Sequence, residues 1–361
     1  MNDGLENVVA AETLLSDVDG IAGRLVIRGR SLDDLAGHAT FEDVVRLLFD
    51  GFYEDLPADV GPMLGAARVE VFREVASLDA GILKLDPVEG MRALTARLPD
   101  GDDLATAMRL LAAPAVFTTA VVRAQQGLEP VAPSAELSHS ADILRMLRGR
   151  PVSAAEARAL DAYLVTVSDH GLNASTFAAR VIASTRAGLT SAVLGGISAL
   201  KGPLHGGAPG PVIEMLDAIG TPGHARAWLE QALDSGERLM GFGHRIYKVR
   251  DPRADALKGA VRRLTEGSNT APGRLAFAEA VEAAALAILK ERKPDRSLQT
   301  NVEFYTALLL EALAFPPAAF TGVFAMGRVG GWIAHAREQA LGGRLIRPKS
   351  VYVGPVAKEA A

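Results

Sequence analysis

The chain is organised around one stretch, GFGHRIYKVRDPRAD (residues 241–255), which joins two glycines and a histidine to a run of cations. Gly241 and Gly243 let the backbone approach a ligand closely, and His244 is the side chain that such an approach would present. Four cations follow in the same stretch: Arg245, Lys248, Arg250 and Arg253. Asp251 is the only acid among them, so residues 245–253 carry a charge of +3 in a chain of net charge −5. This pattern suits an anionic small molecule.

A plainer interpretation of the same stretch is a solvated basic helix start. Asp251 followed by Pro252 is a good N-cap with proline at the first helical position. Both interpretations can hold together, because a helix N-terminus can border a binding site. A solvated surface does not require a glycine-flanked histidine, so the sequence favours a site here.

The length and composition indicate a helical protein. A chain of 361 residues exceeds one ordinary core and suggests roughly two domains. Hydrophobic residues make up 49% and aromatics only 5%, with alanine and leucine dominating the apolar runs, which favours helices over strands. We therefore expect an all-α fold. The exception is GRLVIRGR (residues 23–30), whose alternation between glycines predicts a strand or hairpin. Ser31 with Asp34, and Thr40 with Asp43, are typical of capped helix starts.

Composition also excludes several classes of protein. The chain has no cysteine, which excludes disulfides, thiolate catalysis and zinc-thiolate sites and favours a reducing compartment. The start MNDGLENVVA does not resemble a signal peptide, and Glu311 and Pro316-Pro317 interrupt the apolar span 307–327, so we expect a cytoplasmic chain without a membrane span. A pI near 5.9 argues against a nucleic-acid partner. The sequence marks of phosphate loops, dinucleotide folds, zinc hydrolases and serine esterases are absent, and no metal site is expected.

Two further stretches present histidines. In SDHGLNASTFAAR (168–180), His170 stands among polar residues just before an apolar helix, where a structural histidine or a helix cap is the plainer alternative. In KGPLHGGAPGP (201–211), His205 stands before a helix N-terminus. The helix dipole there disfavours an imidazolium, and a neutral imidazole can donate a hydrogen bond to a carbonyl that is becoming an enolate. A glycine-rich hinge is the alternative.

A carboxylate and two arginines complete the candidates. NVEFYTALLLEAL (301–313) places Glu303 in the first turn of a helix that is apolar on nearly every face. There it is either an electrostatic cap or a base, since burial would raise its pKa and the helix dipole would lower it. Composition alone favours the cap. Arg328, among small apolar residues, and Arg347, near the C-terminus, either bind an anion or belong to internal ion pairs.

With these motifs the chain resembles a citrate synthase of the bacterial type from end to end. The resemblance rests on six motifs in family order: SDVDGIAGRLVIRGRSLDDLAGHATFEDVVRLLFDG (16–51), DHGLNASTFAAR, KGPLHGGA, GFGHRIYKVRDPRA, the NVEFY position and IRPKSVYVG. It implies an all-helical homodimer with a short N-terminal hairpin. It also implies a large domain over residues 1–208 and 309–361 and a small domain, residues 209–308, inserted between them, with the active site in the cleft.

The resemblance also implies a role for each candidate residue. His205 resembles the histidine that hydrogen-bonds the thioester carbonyl, and His244 the one that binds and protonates the oxaloacetate carbonyl. Glu303 stands where the family has the base that deprotonates the acetyl methyl group. The implied oxaloacetate-binding residues are His170, Arg253 and Arg328, joined by Arg347 from the partner subunit. The implied coenzyme A contacts are Lys248 and the backbone at Gly241 and Gly243. Coenzyme A thioester would be a substrate, and no tightly bound cofactor is expected.

The implied function is condensation of acetyl-CoA with oxaloacetate and water to citrate and free CoA, a step of the tricarboxylic acid cycle. Three departures leave alternatives open: Glu303 where aspartate is usual, DHGLN where an acidic DHE is commoner, and Ala208-Pro209-Gly210 where Ala-Asn-Glu is commoner. Nothing in the motifs sizes the acyl pocket, so a 2-methylcitrate synthase that uses propionyl-CoA is the second hypothesis. A dimer that binds coenzyme A or a di-acid without turnover is the third. The sequence predicts neither allosteric control nor assembly beyond a dimer.

Overall fold

The computed structural model describes residues 4–5, 8–206, 209–244, 246–266 and 272–355. This part of the chain is mostly helical, which confirms the expected all-α class. The helices are α1 (Leu32–Leu35), α2 (Phe41–Phe49), α3 (Gly61–Val71), α4 (Pro87–Thr95), α5 (Leu104–Gln125), α6 (His139–Arg148), α7 (Ala154–Val167), α8 (Ala174–Ala183), α9 (Leu189–Leu200), α10 (Pro209–Ile219), α11 (Ala225–Asp234), α12 (Pro252–Glu266), α13 (Pro272–Arg292), α14 (Val302–Ala312) and α15 (Phe320–Gly342). Short 3₁₀ turns cover Phe72–Ser77, Ile82–Lys84, Pro222–His224 and Pro317–Ala319.

Three short strands form an antiparallel sheet near the N-terminus. They are β1 (Ser16–Asp19), β2 (Arg24–Ile27) and β3 (Arg30–Ser31), in the order β1-β2-β3. The hairpin predicted at residues 23–30 is confirmed as β2 and β3, joined by Arg28 and Gly29 at φ values of 48° and 80°. Two residues at positive φ give the turn a twist that matches its strands. Strand β1 was not predicted, because its sequence SDVD contains only one apolar residue.

The first helices begin at the predicted caps. The Ser31 side chain accepts a hydrogen bond from the backbone N–H of Asp34, which starts α1. Thr40 and Asp43 form a reciprocal capping box at the start of α2. Each cap supplies an acceptor to a backbone N–H that has no partner within the helix, and this is worth typically about 1 kcal/mol. Local sequence therefore determines where these helices begin.

Helix α15 is the centre of the core and packs against α5, α7, α8 and α9. Small residues on α15 allow the neighbouring backbones to approach closely. A Cβ at Gly327 would lie 2.4 Å from Val167 Cγ2, and one at Gly331 would lie 2.3 Å from the Ser168 carbonyl oxygen. Because α15 and the end of α7 are this close, Arg328 is brought beside the segment that carries His170.

The predicted division into two domains remains a prediction. Its first boundary, at 208/209, falls beside residues 207–208, which are outside the described part of the chain. Its second boundary, after residue 308, falls inside α14, so no break in the helix marks it. Helix α12 contacts both α7 and α14, so the central segment packs directly on the first part of the chain.

Among the described helices, only α5 is long and apolar enough to cross a membrane, and 89% of its apolar window is buried inside the protein. The span 307–327, which was singled out from the sequence, is not one helix. It contains the end of α14 and the start of α15, separated by residues 313–319.

Candidate active site

One cavity of about 410 Å³ gathers eight of the ten predicted site residues. They come from the α7–α8 connection, the segment before α10, the loop before α12, and helices α12, α14 and α15. The eight are His170, His205, Gly241, Gly243, His244, Arg253, Glu303 and Arg328. Arg245, which the sequence placed in the basic run, lies outside the described residues.

A short backbone pairing, which we call the clasp (residues 241–243 with 299–301), joins the His244 loop to the start of α14. Gly243 N donates to the Gln299 carbonyl at 2.7 Å, and Asn301 N donates to the Gly241 carbonyl at 2.9 Å. The Asn301 side chain adds a hydrogen bond from Nδ2 to the Gly243 carbonyl at 2.9 Å. His244 and Glu303 therefore follow directly from paired segments, and their backbones are held together.

The structure gives a different reason for glycine in the clasp from the one inferred from the sequence. Gly241 and Gly243 have φ values of 85° and 83°, a region that side-chain-bearing residues adopt only with strain. A Cβ on Gly241 would lie 2.9 Å from the Phe304 ring, and one on Gly243 would lie 3.0 Å from Leu298. Both glycines line the cavity, but protein packing and backbone conformation alone already require them.

Backbone hydrogen bonds determine which nitrogen of His244 carries the proton. Its Nδ1 accepts hydrogen bonds from the N–H groups of Ile246 (3.0 Å) and Tyr247 (3.1 Å). An N–H group can only donate, so Nδ1 holds a lone pair and the neutral ring carries its proton on Nε2. Burial, with the nearby charge of Arg253, lowers the pKa of His244 to about 4. His244 is therefore a neutral donor at neutral pH.

Arg253 lies beside the ring of His244. Its Nη2 is 3.2 Å from His244 Nε2, so the positive charge of the guanidinium is next to the nitrogen that carries the ring proton. Asp251 holds the guanidinium with two hydrogen bonds, at 3.0 Å to Nε and 2.8 Å to Nη2. The same carboxylate accepts from Val302 N at 3.2 Å. Asp251, which the sequence indicated as a helix cap, thus connects Arg253 to the start of α14.

His170 forms the adjoining wall of the cavity and is neutral. Its Nε2 lies 3.1 Å from the Tyr247 hydroxyl, and its ring meets the His244 ring edge-on at a centroid distance of 5.8 Å. Burial and the charges of Arg253 and Arg328 lower its pKa well below the usual range. The cap of α8 is Asn173, whose side chain accepts two backbone N–H bonds, so His170 is not needed as a cap.

Arg328 is almost fully buried without an ion pair among the described residues. Its Nε donates to the Val167 carbonyl at 2.5 Å, and its guanidinium lies 5.1 Å from the centre of the Phe324 ring. These are its only partners in the described part of the chain, which leaves the terminal nitrogens for the cavity. Burial lowers its pKa to about 10, so the side chain is still a cation at neutral pH. The charge of Asp169 helps to keep Arg328 ionised, but a buried cation without a direct ion pair is also suited to an anionic ligand.

His205 contacts a hydrogen-bonded serine. Its Nε2 lies 2.8 Å from the Ser175 hydroxyl, which also accepts from Trp332 Nε1 at 3.1 Å and lies 2.8 Å from Asn173 Oδ1. Burial, followed by the charge of Arg328, lowers the pKa of His205 to about 4. The sequence predicted a neutral imidazole because of a helix dipole. The ring is neutral, but burial and a neighbouring arginine are the physical causes.

Glu303 is half-buried in the cavity and does not cap its helix. Asn301 is the cap of α14, since its Oδ1 accepts from Glu303 N at 3.0 Å. No residue in the described part of the chain donates a hydrogen bond to the Glu303 carboxylate. Burial raises the pKa of Glu303 to about 7, against the opposing effect of Arg253. Burial is the largest influence on this pKa, so the carboxylate can exchange a proton near neutral pH.

Lys248 lies in a neighbouring groove of about 600 Å³ rather than in the cavity itself. The groove and the cavity share His244 and the residues before it, so the two spaces join. Three cations that the sequence did not single out lie in the same groove: Arg238, Lys293 and Arg296. They come from two chain segments about 55 residues apart, which is why no single motif marked them.

Arg347 is the predicted site residue that the structure leaves outside the cavity. It is exposed in the extended segment after α15 and is not among the cavity residues of its own chain. Tyr247 and Ser175, by contrast, contact the cavity histidines and were missed. Both stand inside motifs already quoted, but a tyrosine or serine in such a motif gives no signal by residue type alone.

Known proteins are similar to this chain over nearly its whole length. The family described as "Citrate synthase, C-terminal domain" matches residues 4–349. A citrate synthase of Acidithiobacillus ferridurans is 36% identical over 97% of this chain and 95% of its own length. A 2-methylcitrate synthase of Mycobacterium tuberculosis is also 36% identical, over 97% of this chain and 90% of its own length.

A solved structure is similar over the whole chain. It is the ternary complex of carboxymethyl coenzyme A and oxaloacetate with citrate synthase from Thermoplasma acidophilum. The TM-score is 0.86 at 28% identity, covering 100% of this chain and 98% of the other. The fold and the order of the motifs are thus shared with proteins of known structure.

Proposed function

Since the chain belongs to the citrate synthase family, we propose that it condenses acetyl-CoA with oxaloacetate and water to give citrate and free CoA. The chain is an acyltransferase of that family. The observation that carries the proposal is one cavity in which a carboxylate with a pKa of about 7, three neutral histidines and two buried arginines meet.

The acceptor, oxaloacetate, is a dianion with a ketone between its carboxylates. Arg253 and Arg328 supply two positive charges, and His170 adds a neutral ring beside them. A bidentate guanidinium suits a carboxylate, and three neutral histidines avoid excess positive charge. We place the ketone oxygen at the His244 Nε2–H, next to the Arg253 guanidinium. Positioning of this kind converts a bimolecular step into an effectively unimolecular one.

Enolisation of the thioester uses the opposite side of the cavity. The Glu303 carboxylate takes a proton from the α-carbon of the acyl group. The C–H electron pair forms the carbon–carbon double bond of the enolate, and the carbonyl electron pair moves onto the thioester oxygen. His205 donates a hydrogen bond to the thioester oxygen as charge develops there. The Ser175 hydroxyl donates its one proton to Asn173 Oδ1, so the His205 ring carries its proton on Nε2 and donates it to Ser175. In this step the thioester oxygen replaces the serine as the acceptor of that N–H.

Carbon–carbon bond formation follows. The enolate carbon attacks the ketone carbon of oxaloacetate, and the ketone oxygen takes the proton of His244 Nε2–H and becomes the hydroxyl of the product. The proton that Glu303 removed from the acyl carbon then returns to His244, so the condensation causes no net change in protons. Water then hydrolyses the citryl thioester and releases the CoA thiol. His244 is suited to the protonation because its Nδ1 already accepts two backbone N–H groups, so the ring is fixed while the proton leaves.

We assign the neighbouring groove to coenzyme A. The groove opens into the cavity at His244 and holds four cations against one acid, Glu237. Phosphate groups would bind there by charge, with Lys248 among their contacts. Gly241 and Gly243 border the join between groove and cavity. In this proposal coenzyme A is a substrate and no cofactor is held tightly.

A homodimer and a two-domain chain complete the proposal. Residues 209–308 form the small domain, and the cavity lies between this domain and the remainder. The segment after α15 exposes Val351, Tyr352 and Val353 by 70%, 75% and 87%, an apolar surface that a second copy of the chain would cover. Arg347 in this segment would then reach the partner's cavity. A cytoplasmic setting agrees with the chain's lack of cysteine.

A thiol-release assay with acetyl-CoA and propionyl-CoA in parallel tests the proposal. Purified protein with oxaloacetate should release CoA from acetyl-CoA at a rate that saturates in both substrates. The protein has no thiol of its own, so every thiol detected is product. Oxaloacetate binding without thiol release from either thioester would overturn the proposal.

A 2-methylcitrate synthase is the second candidate, because the relative from Mycobacterium tuberculosis with that description is as similar as the citrate synthase relative. The two differ by one methylene of the acyl group, which is worth about 1–3 kcal/mol in a hydrophobic pocket, or about 10- to 200-fold in rate. A higher kcat/KM with propionyl-CoA than with acetyl-CoA would favour this candidate.

A further inference from the structure

Tyr247 is a buried aromatic residue inside an otherwise exposed loop. It is 1% exposed, while Ile246 and Val249 on either side are 42% and 43% exposed. A tyrosine that turns inward from a loop of this kind loses the hydration of its hydroxyl, which must be replaced by a hydrogen bond. The one hydrogen bond of the hydroxyl in the described part of the chain is to His170 Nε2, at 3.1 Å.

The same residue holds the second histidine through its backbone. Tyr247 N donates to His244 Nδ1 at 3.1 Å, which keeps the His244 proton on Nε2. The tyrosine ring lies 4.9 Å from the His244 ring, 5.6 Å from the His170 ring and 5.8 Å from the Arg253 guanidinium. One side chain therefore touches three of the groups assigned above to the acceptor.

We propose that Tyr247 is a positioning residue that holds His170 and His244 in the tautomers that donate to oxaloacetate. This inference rests on the proposed function, because it concerns the acceptor site of that reaction. The backbone N–H acts on His244, and the hydroxyl acts on His170. Neither group needs to touch the substrate.

The hydroxyl acts as the donor to His170, because no other residue in the described part of the chain accepts the proton of this buried phenol. Burial raises the pKa of Tyr247 to about 12, so the phenol keeps its proton across the working range of pH. When it donates to Nε2, the His170 proton is on Nδ1, and no residue in the described part of the chain accepts a hydrogen bond from that nitrogen. His170 lines the cavity, so its Nδ1–H is available to a carboxylate oxygen of the acceptor. Without the hydroxyl, the ring can shift its proton to Nε2 and lose that donor.

Tyr247→Phe tests the effect of the hydroxyl alone, because the aromatic ring and the backbone N–H remain. The variant keeps the contacts with His244 and Arg253 and loses only the bond to His170. We expect the Kd and KM for oxaloacetate to rise about five- to tenfold, as for the loss of one hydrogen bond, with the KM for the acyl-CoA within about twofold of the parent value. Calorimetry measures the Kd for oxaloacetate, and the thiol-release assay measures the two KM values.

A double-mutant cycle with His170→Ala distinguishes positioning from a general structural effect. If the hydroxyl acts through His170, Tyr247→Phe should change the Kd for oxaloacetate by less than about twofold on the His170→Ala background. Tyr53→Phe is the matched control, because the Tyr53 hydroxyl has no hydrogen-bond partner in the described part of the chain and lies away from the cavity. This control should leave the Kd unchanged.

Two outcomes would overturn the inference: an unchanged Kd in Tyr247→Phe, or the same five- to tenfold rise on both backgrounds. Either outcome leaves the proposed function standing if the parent protein releases thiol. Conversely, a parent protein that binds oxaloacetate without turnover contradicts the proposed reaction, while the cycle still reports how Tyr247 acts on the acceptor site.

Discussion

Glu303 is the residue whose role changes most between sequence and structure. Its position in the first turn of an apolar helix is also the position of an ordinary cap, and nothing local separates the two roles. The cap is supplied by Asn301, and the carboxylate is left in the cavity with a raised pKa. Burial of this kind depends on how distant segments pack, so the sequence could name the residue but not its state.

Removing the basicity of Glu303 should stop enolisation. We expect Glu303→Gln to lower kcat at least about a hundredfold, because a general base contributes typically about 10²- to 10⁴-fold. Proton exchange at the methyl group of acetyl-CoA, measured in deuterated water with a bound oxaloacetate mimic, should fall by the same factor. Glu311→Gln on the same helix removes a carboxylate that pairs with Arg274 and should leave kcat within about twofold. Exchange at the parent rate in Glu303→Gln would mean that another group is the base.

The same substitution should have a pH-dependent effect on stability. Burial raises the pKa of Glu303 from 4.5 to about 7 in the folded protein, so the folded state binds its proton more tightly than the unfolded state does. The protonated carboxyl of Glu303 therefore stabilises the folded protein at low pH, and this contribution is lost as pH rises through about 7.

We expect Glu303→Gln and the parent to have similar melting temperatures at pH 5, and the variant to be the more stable of the two at pH 8. Thermal unfolding at both values is the measurement. Glu311→Gln, which loses an exposed ion pair, should gain no stability at pH 8. A parent protein as stable as Glu303→Gln at pH 8 would contradict a buried charge at this position.

At the scale of elements, caps and composition predicted the helices, whereas the pairing that builds the site was not predictable. The clasp joins segments 58 residues apart, and neither segment has the alternation of a strand. The glycines at 241 and 243 indicated from the sequence that the backbone lies close to another group, and in the structure residues 298–304 of the same chain are such a group. Tyr247 was missed for a similar reason, since its inward orientation depends on the segments that surround the loop.

Gly241→Ala tests the clasp. The Cβ would meet the Phe304 ring at 2.9 Å and would also strain a residue at φ 85°. We expect a fall in kcat of at least about tenfold, since a shift of 1 Å at a catalytic group can cost about a hundredfold. Gly127→Ala is the matched control, because Gly127 has φ 72° and open space around it.

Both alanine variants should lose about 1–2 kcal/mol of stability from backbone strain, as thermal unfolding would show. Only Gly241→Ala should lose activity. An equal loss of activity in the two variants, or none in Gly241→Ala, would mean that the clasp does not set the positions of His244 and Glu303.

At the scale of the whole molecule, the sequence indicated the family from end to end, and the relatives and the solved fold confirm it. The contribution of a second subunit is the remaining prediction. Arg347 is exposed in its own chain and lies in a segment with exposed apolar residues around it. Arg347 therefore contributes nothing to the cavity of its own chain, and the proposal is that it reaches the cavity of the partner subunit.

Subunit mixing tests this assignment. Arg347→Ala and His244→Ala homodimers should each be nearly inactive. In a heterodimer of the two, one of the two sites would have both wild-type residues, so equal mixing with free exchange should restore about a quarter of the parent activity. The restored activity is measured as thiol release after the mixture has been unfolded and refolded. Tags on the two subunits show whether heterodimers have formed. No recovery despite proven heterodimers would mean that Arg347 serves its own chain or neither site.

The clasp also limits how a protein of this design could acquire a new substrate. In the proposed function, the residue that binds the acceptor ketone and the residue that deprotonates the acyl carbon follow two segments that are joined by backbone hydrogen bonds, so a shift of one segment would also move the other. Selection for a longer acyl chain would therefore have to act outside the clasp and outside the proposed catalytic groups, at residues such as Leu204 and Phe324, which line the same cavity. The reaction itself and the choice of acyl group would then depend on different residues around one cavity.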